Sequence, residues 1–293
     1  MSAASTAPEG TTPTEPTPPN AGIRTGRNLF AAIWVGVLMG GAALITLFTV
    51  KATFLIYMGA ALLVALHELD TALRKSRDIK IPAIPVALGG AAMVTCAYWA
   101  AGGAVMAAFA LTLVAVLIWR VFGGTEGYVA DVTAAVFAAA YLGLLGATVS
   151  AMLTPHDGGR RVLAFIIITI CTDIGGYFAG ITLGRSGAHK MAPAISPKKT
   201  WEGLAGSAVA SIAAGTIVMP VALHGYWWQG AILGTAVVTA AVFGDLAESM
   251  IKRDLGVKDM GSLLPGHGGI LDRIDSLLVS APVAWLLLAV FLR

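Results

Sequence analysis

The chain has 293 residues, 57% of them hydrophobic and only 12% charged, with a mean hydropathy of +0.81 and a formal net charge of +3. An ordinary soluble domain carries about 25% charged residues, so this composition excludes one and describes a protein of the bilayer. The length allows roughly eight to ten spans of about 20 residues each and leaves no separate soluble domain of normal size. No nucleic-acid partner is expected.

Residues 1–28 are rich in Pro, Thr, Ala and Ser and have no apolar core, so they read as a disordered tail rather than a signal peptide. Residues 29–293 form the membrane domain. Apolar runs of spanning length follow at about 29–50, 52–68, 81–100, 103–122, 131–152, 161–184, 204–223, 229–251 and 274–292. The expected fold is therefore an all-α integral membrane protein, a polytopic bundle of about nine transmembrane helices with polar loops on the cytoplasmic side. Cys96 and Cys171 fall inside apolar runs, where a thiol acts as a small hydrophobe.

With nine spans and a cytoplasmic N-terminus, all 19 Lys and Arg residues except Lys51, Arg160, Arg161 and Arg293 fall on the inner side, as the positive-inside rule asks. The same topology places loops 185–203 and 249–273 on one face, where together they can build one site. His67, Glu68 and Asp70 at the inner end of the second span read as solvated or interfacial. So do Glu126, Asp131 and the outer-loop group His156, Asp157, Arg160 and Arg161.

In the sixth span, Asp173 is an acid within an apolar run, a functional candidate by its position. Gly176, Gly180 and Gly184 continue its face and suit close helix packing. In the next loop, Ser196-Pro197-Lys198-Lys199-Thr200-Trp201-Glu202-Gly203 joins adjacent lysines to hydroxyls and an acid, a pattern that suits either a polyphosphate or a simple inner-face anchor. At the end of the eighth span, Asp245, Glu248, Ser249 and Lys252 fall at i, i+3, i+4 and i+7 and share one helix stripe. Asp272, Asp275 and Ser276 repeat the spacing at the start of the ninth.

Between these two stripes lie Arg253, Lys258, Asp259 and the turn Gly266-His267-Gly268-Gly269, followed by Arg273. Carboxylates on two neighbouring helix ends can hold a hard cation, glycines let backbone amides approach a ligand, and the bases suit phosphate oxygens. Residues alone thus reach a metal-dependent phosphate site at the cytoplasmic face. A transporter would place its charge at mid-span, whereas here it gathers at the helix ends. A membrane lipid kinase would share the metal and phosphate ligands.

The run Ser249-x-x-Lys252-Arg253-x-x-x-x-Lys258-Asp259, followed by Pro265-x-His267-Gly268-Gly269-x-x-Asp272-Arg273-x-Asp275, resembles the signature of the phosphatidate cytidylyltransferases, or CDP-diacylglycerol synthases. Ser196 to Gly203 is similar to a second motif of that family. The resemblance implies transfer of the cytidylyl group of CTP to phosphatidic acid, giving CDP-diacylglycerol and pyrophosphate, with Mg2+ as cofactor. It also implies a homodimer in the plasma (inner) membrane with its active site on the cytoplasmic face.

On that resemblance, Asp245 and Asp272 are the expected metal ligands, with Asp173 and Glu248 beside them. Asp245, Asp272, Lys252, Arg253 and Asp275 are the expected catalytic group. Ser196, Lys198, Lys199, Ser249, Lys258, Asp259, His267, Gly268, Gly269 and Arg273 would bind the substrates.

Overall fold

A computed structural model describes residues 25–100, 102–184, 189–261, 263 and 268–292, with side chains from residue 34 onward. The remaining positions, His267 and most of the expected tail among them, lie outside the described residues. Among the described residues, nine helical rods fall where the nine apolar runs lie. These are α1 (Thr25–Thr49), α2 (Lys51–Arg77), α3 (Ala83–Trp99), α4 (Gly102–Val121), the continuous rod α5 (Tyr128–Ala138), π turn (Ala139–Leu144) and α6 (Leu145–Leu153), then α7 (Gly158–Thr182), α8 (Trp201–Leu223), α9 (Trp227–Asp254) and α10 (Leu271–Phe291). Among the described residues, seven of these rods are long and apolar enough to cross a membrane, and Trp34–Thr49 and Ala83–Trp99 are shorter apolar helices.

The helix ends follow local chemistry. Arg74, Lys75 and Arg77 occupy the last turn of α2, where cations suit the helix dipole. Thr200 caps α8, its Oγ1 accepting the Gly203 N–H at 3.1 Å. The stretch before α8 forms a small antiparallel hairpin, β1 (Lys190–Ala192) with β2 (Ser196–Thr200). Sequence reading treats it only as a polar loop. Pro197 disfavours helix at Ser196, and the chain stays extended until the Thr200 cap.

Close packing of α7, α8, α9 and α10 depends on small residues, as expected where apolar side chains gain little by leaving lipid. A side chain at Gly175 would lie 2.5 Å from the Gly206 carbonyl oxygen, and one at Gly206 would lie 2.6 Å from that of Gly175. Ser207 donates to the Thr172 carbonyl at 2.8 Å, and Ser211 to that of Gly234 at 2.9 Å. Gly176, Gly180 and Gly184 all face α8 or its cap. Large apolar side chains such as Leu38, Leu111, Val209 and Phe243 point outward, as a lipid-facing surface requires.

Contacts between helix ends sort the bundle into two faces. On one, Arg77 meets Asp254, Glu68 meets Ile270 and Leu271, and Arg253 meets the hairpin at Ile195. On the other, Lys51 meets the carbonyls of Leu153 and Pro155, and Arg161 meets that of Leu292. The described residues of the α7–α8 and α9–α10 connections therefore share the first face, as the nine-span topology demands.

Several polar groups expected to be solvated or interfacial are buried in protein instead. Glu68, Asp70, Asp131 and Arg161 are each less than a tenth exposed. Each is buried because it satisfies backbone groups or an opposite charge where a helix ends. Asp70 pairs with Arg74 and accepts the Ile81 N–H; Asp131 pairs with Arg120 and accepts the Lys80 N–H; Arg161 pairs with Asp157.

Candidate active site

On the face carrying both polar loops, α7, α8, α9 and the hairpin enclose a cavity of about 220 Å3. Its walls include Asp173 of α7, Lys198 and Lys199 of β2, Gly203 and Ser207 of α8, and Asp245 of α9. Lys199 reaches across it, with Nζ 2.6 Å from Asp245 Oδ2, while the Ser249 hydroxyl donates to Asp245 Oδ1 at 3.4 Å. Lys198 is exposed at the rim and Ser196 is half-buried. The side chain opposite Lys199 is thus the acid that the α9 stripe presents.

Behind Asp245 the stripe continues into protein. Glu248 is 1% exposed and forms an ion pair with Lys252, whose Nζ also donates to Asp272 Oδ1 at 2.8 Å. Asp272 Oδ2 accepts the N–H groups of Gly269 at 2.8 Å and Met260 at 3.0 Å. Asp272 is therefore the knot between α9, the signature loop and α10. Asp275 is buried one turn further along α10, one oxygen accepting the Ser276 N–H at 2.6 Å.

Asp173 lines the same cavity as Lys199 and Asp245. Helices α7, α9 and α10 thus carry five carboxylates, Asp173, Asp245, Glu248, Asp272 and Asp275, toward the same end of the bundle. Lys199 and Lys252 provide ion pairs for three of them. Even so, Glu248 Oε1 is buried with no hydrogen-bond partner among the described residues. A buried carboxylate oxygen in that state is costly unless a cation or its water shell meets it.

Among the described residues, no three His, Cys, Asp or Glu side chains stand close enough to form a ready cation cage. The donor chemistry nevertheless fits magnesium, which usually takes one or two carboxylates and completes its shell with water and substrate phosphates. Asp245 and Glu248 fit that role. Asp272 fits it less directly, since Lys252 and two N–H groups already engage its oxygens.

The other expected residues lie around this centre. Arg253 is exposed and donates through Nε to the Ile195 carbonyl at 3.1 Å, which ties the hairpin to α9. Lys258, Asp259 and Arg273 are exposed on the same face. Gly268 has φ +80°, a left-handed conformation that favours glycine, and sits against Asp272 and Asp259. His267 falls outside the described residues.

Two groups escaped the sequence reading. Tyr141, in the π turn, has a buried hydroxyl without a hydrogen-bond partner among the described residues. Its only sequence signal is a phenol within a run of small apolar residues, although π turns recur at functional sites. Glu68 lies on the buried stripe of α2 with Leu62, Ala65, Leu69 and Ala72, and that helical spacing was a readable signal.

The chain matches the model of the cytidylyltransferase family over residues 30–291. It is 40% identical over 284 residues to a phosphatidate cytidylyltransferase of Mycobacterium leprae (strain TN), covering 90% of this chain and 89% of that one. It is also 40% identical over 279 residues to the Mycobacterium bovis protein of the same name, covering 90% of each. A Brucella suis phosphatidate cytidylyltransferase is 38% identical over 152 residues, 52% of this chain and 55% of its own. With the match running from α1 to the end of α10, this chain belongs to the cytidylyltransferase family.

Proposed function

We propose that this protein is a phosphatidate cytidylyltransferase, which transfers the cytidylyl group of CTP to phosphatidic acid at the cytoplasmic face of the plasma membrane. The observation that carries the reading is the incompletely satisfied carboxylate cluster lying directly beside a lysine-lined cavity at one end of the spans. The names of the relatives at 40% identity supply the substrate pair. The cytoplasmic assignment rests on the concentration of Lys and Arg at that end.

A phosphate monoester, with a second pKa near 6, is largely dianionic at neutral pH. Its oxygen can attack the α-phosphorus of CTP with neither a general base nor an enzyme nucleophile. A bond forms from the lipid phosphate oxygen to the α-phosphorus, and the bond from that phosphorus to the oxygen bridging the β-phosphorus breaks. Pyrophosphate leaves with the electron pair. The protein must hold two mutually repelling anions in line and offset charge on the leaving group.

Lys198 and Lys199 meet phosphate at the cavity, and Lys199 passes from Asp245 to a phosphate oxygen when substrate arrives. Exposed Lys258 and Arg273 draw anions to the same face, Ser196 and Ser249 orient them, and Arg253 holds the hairpin in place. Lys252 stays fixed between Glu248 and Asp272, keeping the two helix ends at their spacing. Magnesium, when bound, supplies charge neutralisation at the triphosphate, held by Asp245 and Glu248 with Asp173 and Asp275 beside them. The acyl chains remain in lipid while the headgroup reaches Asp173 and Asp245 between α7 and α9.

Purified protein in detergent, given phosphatidic acid, magnesium and labelled CTP, should form CDP-diacylglycerol and pyrophosphate in equal amounts. Failure to form either product removes the reading.

A further inference from the structure

We propose that Glu68 of α2 is a positioning residue for this active site, acting as a cap supplied from a distant helix to the start of α10. The proposal rests on the cytidylyltransferase reading above. Its basis is geometric. Glu68 is 5% exposed, and its two oxygens accept separate backbone donors, the Ile270 N–H at 3.0 Å and the Leu271 N–H at 2.9 Å.

The first turn of a helix has N–H groups without intrahelical partners, and α10's own N-cap residue, Ile270, offers no side-chain acceptor. A carboxylate from some 200 residues earlier fills that place, where negative charge also suits the helix dipole. Glycines flank the carboxylate. A side chain at Gly261 would lie 2.2 Å from Glu68 Oε1, and one at Gly269 would lie 2.5 Å from Oε2.

From this cap the contacts run directly into the site. Gly269 donates to Asp272, Asp272 accepts from Lys252, and Lys252 pairs with Glu248. Glu68 thereby sets the position at which Asp272 and Asp275 enter the cluster, without touching substrate itself.

The test compares wild type, Glu68→Gln, Glu68→Asp and, as a control for general destabilisation, Asp131→Asn. Amide hydrogen exchange at residues 268–271 and the kcat and KM for CTP are measured on each full-length protein. Glu68→Gln leaves one acceptor oxygen for two N–H groups. It should speed exchange at 268–271 and lower kcat/KM for CTP by roughly ten- to a hundredfold. Glu68→Asp keeps both oxygens on a stem one methylene shorter and should recover part of that loss, and it serves as the graded variant if Glu68→Gln does not fold. Asp131→Asn should lower thermal stability while leaving kcat/KM within about twofold, the scatter expected of a site remote from the chemistry.

Wild type that makes no product overturns the cytidylyltransferase reading on which the proposal rests. Active wild type beside Glu68 variants with unchanged exchange or unchanged kcat/KM overturns the positioning role. An equal loss of kcat/KM in Asp131→Asn also overturns it, because the effect would then be that of any buried acid.

Discussion

Two groups of buried charge lie at the same end of the bundle and differ in how completely they are satisfied. Around the α2–α3 connection, Asp70 and Asp131 engage both oxygens, with Arg74 and the Ile81 N–H for one and with Arg120 and the Lys80 N–H for the other. Arg120 in turn donates to the carbonyls of Gly124 and Glu126. Around α9 and α10, by contrast, a Glu248 oxygen is buried with no hydrogen-bond partner among the described residues. The first group is scaffold, fixing a loop against the helix ends. The second holds the unpartnered oxygen, which the proposed function assigns to a site whose remaining partners arrive as ligands.

The largest expected effect is in the second group. Asp245→Asn removes the charge that faces both Lys199 and an incoming cation and should cut kcat by about 10²- to 10³-fold with the fold intact; near-normal turnover would take Asp245 out of the site. Asp272→Asn places an amide against backbone donors and breaks the link to Lys252, so turnover should nearly vanish, as a folded-protein activity assay will show. Chelation of divalent ions should abolish turnover, and magnesium should restore it, since among the described residues protein donors alone form no complete cation cage and magnesium completes its shell with water and phosphate.

A smaller effect is expected at the cavity rim. Replacing Lys198 and Lys199 together with Ala should raise the KM for a phosphate substrate by about tenfold or more, the loss expected of charge-assisted hydrogen bonds. An unchanged KM would leave the pair as a topology anchor. At the scaffold group the comparison predicts the opposite signature. Asp131→Asn, which strands a buried Arg120, should cost about 3 kcal/mol of stability with little change in kcat, and a denaturation curve read beside turnover separates the two groups.

The sequence carried the span pattern well, because a bilayer forces long apolar runs with charge at their ends. It also carried the α9 and α10 acid stripes, since i, i+3, i+4 spacing translates directly into a shared face. Pairing within the site was not legible. That Lys199 faces Asp245, or that Lys252 bridges Glu248 and Asp272, depends on how four elements approach each other, and those approaches depend on glycine contacts such as Gly175 with Gly206. Glu68 was misread for a simpler reason. An acid near a span end is usually solvated, and here the donors that bury it come from the far end of the sequence.

The bond that is broken tests the central claim most directly. Wild-type protein is given phosphatidic acid, magnesium and CTP labelled at either the α- or the γ-phosphate. The account predicts that α-label appears in the lipid and γ-label in pyrophosphate. Transfer of γ-label to the lipid would reveal a kinase and contradict it.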